Sequence, residues 1–80
     1  MLEKLSTDNK VVGAKQVKRA IEEKSAEIVF IAEDADKKIT IDIEKMCKEK
    51  SIDIIYVETM DELGDACGID VSAATAALLK

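Results

Sequence analysis

Eighty residues, 48% of them apolar, with a net charge of -5, suit one small domain near the size at which a single core just offsets chain entropy, and exclude a second. The negative balance excludes indiscriminate coating of nucleic acid, which needs many Lys and Arg contacts to phosphate. No run reaches about 18 apolar residues, and Met1-Leu2-Glu3-Lys4 lacks the apolar stretch of a signal peptide, so no membrane partner and a cytoplasmic location are expected.

In chain order, Leu2 to Leu5 reads as a short helical segment, and Val11-Val12 as a brief extended stretch closed by Gly13. From Gly13 to Glu23, Val17, Ala20 and Ile21 recur at helical spacing, while Lys15, Gln16, Lys18 and Arg19 fall off that stripe. Ile28 to Ala32 is a continuous apolar run of strand length, the pattern of a strand buried on both faces. The polar segment Glu33 to Lys38 follows, then a helix over about Lys38 to Lys50 with Ile39, Ile43, Met46 and Cys47 on one side.

Ile52 to Val57 is a second strand. Thr59-Met60-Asp61-Glu62 fits a capping box, and Gly68 is placed to stop the resulting helix in a left-handed turn. The loop Ile69 to Ser72 leads into a last strand of small residues, Ala73 to Leu79. Strands alternating with helices imply an α/β fold, a three-layer α-β-α sandwich on a small sheet of about four strands. The short Val11-Val12 stretch suggests a mixed sheet.

Two segments can carry binding chemistry. Gly13-Ala14-Lys15-Gln16-Val17-Lys18-Arg19 puts cations and an amide at a helix start, where free N–H groups and the helix dipole already favour phosphate. Lys and Arg can also bond guanine O6 and N7. The same residues equally describe a solvated amphipathic helix. Ile69-Asp70-Val71-Ser72-Ala73 sets apolar residues in a turn that should be exposed, fit to cover an unstacked nucleotide or to fold back on the core. Charge is uneven as well: Lys10 to Lys24 holds five basic residues against two acidic ones, whereas Asp61 to Asp70 holds four acids and no base.

Other chemistries find little support. Cys47 and Cys67 are far apart in a chain with no His, which speaks against zinc and for two buried, unbridged thiols. Glu33-Asp34-Ala35-Asp36 offers carboxylates to a hard cation, but a polar turn whose Asp caps the next helix is the simpler reading. No phosphate loop and no nucleophile beside a base occurs. An enzyme is therefore not expected, nor a metal or cofactor.

Three stretches together resemble the ribosomal L7Ae family of kink-turn RNA-binding proteins, above all its small bacterial members. They are Gly13-x-Lys15-Gln16-Val17-x-Arg19, Ile28-Val29-Phe30-Ile31-Ala32-Glu33-Asp34-Ala35-Asp36, and Leu63-Gly64-Asp65-Ala66-Cys67-Gly68-Ile69-Asp70-Val71-Ser72-Ala73-Ala74. The resemblance runs from about Val11 to Leu79. It implies a structured RNA partner, a kink-turn in ribosomal RNA, a riboswitch or another particle, gripped by a helix start and by a later loop. Lys15, Gln16 and Arg19 would then address the edges of sheared G·A pairs, with Gly13 allowing close approach and Lys18 on the RNA backbone. Ile69, Asp70, Val71, Ser72 and Ala73 would shield an extruded nucleotide. A monomer, ribosomal or ribosome-associated, is expected. Asp65 stands where many relatives are basic and Ser72 where Pro is frequent, so either reduced affinity or a different RNA target is expected. An acidic protein-interaction module on the same scaffold is the competing reading.

Overall fold

The computed structural model describes Leu5 and residues 9–80. The helix read over Leu2 to Leu5 lies outside the described residues except for Leu5, which is fully buried. The elements are β1 (Lys10–Val12), α1 (Ala14–Glu22), β2 (Ala26–Ala32), α2 (Lys37–Lys50), β3 (Asp53–Val57), α3 (Met60–Ala66) and β4 (Thr75–Leu79). They form one mixed sheet in the order β1-β4-β2-β3. β4 runs antiparallel to both β1 and β2, and β3 runs parallel to β2.

Each face of the sheet carries its own apolar layer, which makes the three-layer α-β-α sandwich. Ile28, Phe30 and Ala32 of β2, with Ala76 and Leu78 of β4, pack with Leu63 of α3, with Cys67 just after it and with Leu5. Val29, Ile31 and Ala77 face the other way, onto Val17, Ala20 and Ile21 of α1 and Ile43 and Cys47 of α2. Strand alternation thus divides one continuous apolar run between two layers. Full burial of a side chain such as Phe30 or Ile31 contributes about 1.5–3 kcal/mol. The hydroxyl of Thr75, buried among these residues, donates to the Phe30 carbonyl at 2.7 Å, so it leaves no unpaired polar group.

Several boundaries differ from the expected ones, β3 among them in starting at Asp53 rather than Ile52, and three have a visible cause. β2 begins at Ala26, with an irregularity between Ala26 and Ile28 where two residues of β2 oppose one of β4. The extra residue, Glu27, is exposed; this bulge lets Ala26 join the α1–α2 layer although Ile28 faces α3. α2 starts at Lys37 because Asp36 caps it, its Oδ1 accepting from Lys38 N at 2.9 Å. β4 starts at Thr75 rather than Ala73, since the Ala73 N–H is already bonded to the Met60 carbonyl. α3 ends as its sequence implies: Gly68 has φ 75, and Gly68 N and Ile69 N return to the carbonyls of Asp65 and Gly64.

Candidate nucleic-acid interface

The start of α1 is built differently from the other helix starts. Gly13 holds φ 101 and ψ 150, a region open essentially to Gly alone, and a Cβ there would meet nothing within 4 Å. The requirement is thus conformational, and the backbone stays open to an incoming ligand. No side chain caps α1 and no acid lies in its first turn. The positive end of the helix therefore faces solvent without a carboxylate of its own to offset it. Lys15, Gln16 and Arg19 are all exposed. Lys15 and Arg19, four residues apart, lie on one side of the helix, away from buried Val17, Ala20 and Ile21.

The loop between α3 and β4 is held from several directions. Gly64, within α3, makes room for it: a Cβ at this position would lie 2.2 Å from the Val71 carbonyl oxygen and 3.0 Å from Ser72 Cα. Met60 is bonded through both main-chain groups. Its N–H donates to Asp34 Oδ1 at 2.8 Å, and its carbonyl accepts from Ala73 N at 3.1 Å. Thr59 supplies the side-chain half of the expected capping box, its Oγ1 accepting from Glu62 N at 3.1 Å. So fixed, the loop presents Val71 at 69% exposure, beside exposed Asp70 and Ser72.

These two halves are neighbours. Gly13 N donates to the Thr75 carbonyl at 3.0 Å, and Ala32 N donates to that of Ala74 at 2.9 Å. The chain leaving the loop is therefore stitched to the α1 start on one side and to the end of β2 on the other.

Three of the residues expected at the interface are placed otherwise. Ala73 is 4% exposed and belongs to the α3-side core, so it offers a ligand no side-chain surface. Ile69 is half-buried against the same core, as the fold-back alternative had it. Lys18 leans toward α2, its Nζ 3.6 Å from Asp42 Oδ2. Such an exposed pair contributes well under about 1 kcal/mol, and Lys18 can leave it.

Gly64 and Asp34 are positioning residues to which no motif of the sequence assigns that role. A signal for Gly64 existed, because an interior helix Gly costs about 1 kcal/mol relative to Ala and implies a close approach. For Asp34 there was none, since its partner lies 26 residues away.

Two acids of the Glu33 to Asp36 segment have structural duties. Asp34 and Asp36 each cap a helix start, which fits the polar-turn reading of Glu33 to Asp36. Cys47 and Cys67 are buried and free. Burial, reinforced by Glu44, pushes the Cys47 thiol up to about 11, and burial raises Cys67 despite nearby Lys10. Both are protonated at neutral pH, which leaves them poor nucleophiles. No helix among the described residues is long and apolar enough to cross a membrane.

Comparison with known proteins agrees with this architecture. An RNA-binding protein of Caldanaerobacter subterraneus subsp. tengcongensis is 50% identical over 68 residues, 85% of this chain and 83% of the relative. The large ribosomal subunit protein eL8 of Halobacterium salinarum is 41% identical over 84% of this chain, which spans 57% of that longer protein. Among solved structures, the Giardia lamblia 15.5kD RNA binding protein superposes with a TM-score of 0.89 at 28% identity, covering 99% of this chain and 68% of that one. These relatives are RNA-binding and ribosomal proteins rather than enzymes, in agreement with the non-catalytic reading. With residues 2–80 matching its pattern, the chain belongs to the ribosomal protein L7Ae/L30e/S12e/Gadd45 family.

Proposed function

We propose that this protein binds structured RNA, and that its target is a kink-turn. The observation that carries the reading is the Gly13 N to Thr75 carbonyl bond, which sets a cationic, uncapped helix start beside a loop with an exposed Val71. Family membership and the names of the relatives support RNA as the ligand. In this reading Lys15 and Arg19 address guanine edges and Gln16 adds a donor and an acceptor. Gly13 lets the RNA approach the open N–H groups of α1, and Val71 covers the extruded nucleotide. Asp70 and Ser72 flank Val71 as polar neighbours. Lys18 exchanges Asp42 for an RNA phosphate. The protein acts as a cytoplasmic monomer, and ribosomal RNA or a riboswitch would offer the fold it needs.

Binding shifts the RNA toward its bent form, because a protein that prefers the kinked state raises its population. A kink-turn labelled at both ends, titrated with wild-type and Arg19→Ala protein, reads this directly by fluorescence transfer. The variant should need about tenfold more protein to reach the same bending. Unchanged bending removes Arg19 from the interface.

One observation favours a second reading: the exposed acids Asp61, Glu62, Asp65 and Asp70 lie on α3 and in the loop itself. An acidic protein-interaction module would show no salt-dependent RNA affinity, whereas phosphate contacts make log affinity fall with log salt.

A further inference from the structure

Among the described residues three large apolar side chains are exposed: Val71, Tyr56 at 50% and Ile41 at 45%. Val71 lies in the α3–β4 loop; Tyr56 and Ile41 have no part in that interface. Tyr56 belongs to β3, the strand at one edge of the sheet. Its hydroxyl donates to the Glu44 carboxylate of α2. Ile41 precedes Glu44 by three residues, which sets the two side by side on the surface of α2. Tyr56 and Ile41 thus both lie close to Glu44, on the part of α2 that faces the sheet edge.

That edge has hydrogen-bonding capacity to spare. The Val57 carbonyl accepts from Glu33 N at 2.8 Å, so the main-chain groups of Val57, Ile55 and Asp53 turn toward β2. Strand alternation turns those of Ile54 and Tyr56 outward, where no strand among the described residues meets them. The stretch Asp53-Ile54-Ile55-Tyr56-Val57-Glu58 is closed at both ends by an exposed acid. The hollow over Tyr56 is lined by Glu33, Glu44 and Lys37, two acids to one base. In the fullest antiparallel overlap with a second copy, the outward-turned Ile54 would oppose Tyr56, which sets Asp53 opposite Val57 and Glu58 opposite Ile52; neither acid would meet a cation, as it would in a basic-ended segment. RNA phosphates meet the same acids.

We propose that the outer edge of β3 accepts an extended segment of another protein as a fifth strand. The segment carries a Lys or Arg at each end, against Asp53 and Glu58, and apolar residues at alternate positions, over Tyr56 and Ile41. Main-chain bonds to Ile54 and Tyr56 supply the attachment and the charged ends supply the choice of partner.

The test is titration of isotope-labelled full-length protein with two synthetic peptides, each of alternating Val and Thr, one ended by Lys and the other by Glu. Expected are amide shifts at Ile54, Tyr56 and Ile41 with the Lys-ended peptide, about tenfold weaker binding of the Glu-ended one, and unmoved signals at Lys15 and Arg19. The double variant Asp53→Lys/Glu58→Lys, altered only at exposed positions, should reverse the preference. No response at Ile54 and Tyr56, equal response to both peptides, or an unreversed preference overturns the proposal. So does sedimentation showing that a second copy occupies the edge.

Discussion

The α1 start and the α3 segment each border the proposed RNA surface, but their helix starts are finished in opposite ways. Two side chains, Thr59 and Asp34, accept from the first N–H groups of α3, and Asp61 and Glu62 lie in its first turn. α1 has neither a side-chain cap nor an acid there, and begins on a Gly at φ 101. One segment is therefore finished within the protein, and it fixes the loop that follows. The other keeps an electrostatic demand that an external anion can meet. Rigidity and vacancy are allotted to different elements, and one backbone bond, Gly13 to Thr75, holds them in register.

The hardest blow to this division is Gly64→Ala. The new methyl cannot share space with the Val71 carbonyl 2.2 Å away, so the loop must move, at a cost of about 2 kcal/mol. Urea denaturation would read that loss, and kink-turn bending should weaken by more than tenfold as Val71 moves. Full binding by a destabilised Gly64→Ala protein would mean that the loop's position is irrelevant.

Smaller changes separate the two caps of α3. Thr59→Ala and Asp34→Ala should each cost about 1 kcal/mol in thermal or chemical unfolding. Only the Asp34 change should also lower RNA affinity clearly, because Met60 links Asp34 to the loop exit at Ala73. Equal effects on binding would dissolve that link.

The smallest stability effect is the sharpest for α1. Lys15→Glu places a carboxylate in its bare first turn and should raise stability by about 0.5 kcal/mol, while RNA affinity falls about tenfold. A variant that is both more stable and an equal binder would show that the absent cap serves no ligand.

The alternation of β2, α2, β3 and α3 was legible because periodicity and capping residues are local signals. The burial of Ala73 was not, since it depends on a bond to Met60 and on the space left by Gly64. The turn of Lys18 toward Asp42 is likewise a product of two helices meeting. At Glu27 a single additional residue resets which side of the sheet Ala26 occupies, and no composition signal marks so small an insertion. The residues named for the α1 start were readable as chemistry. That the loop lies beside them follows only from the sheet order, in which β4 stands between β1 and β2.

That strand order has a consequence for synthesis. β4, latest of the seven elements among the described residues, occupies an interior place in the sheet, so a growing polypeptide cannot complete the sheet until residue 79 has left the ribosomal tunnel. Until then Gly13 lacks its Thr75 partner and Ala32 its Ala74 partner. The surface shared by the α1 start and the α3–β4 loop cannot be assembled before β4 is available, and a chain cut short of Ala74 and Thr75 lacks the bonds that hold its two halves together.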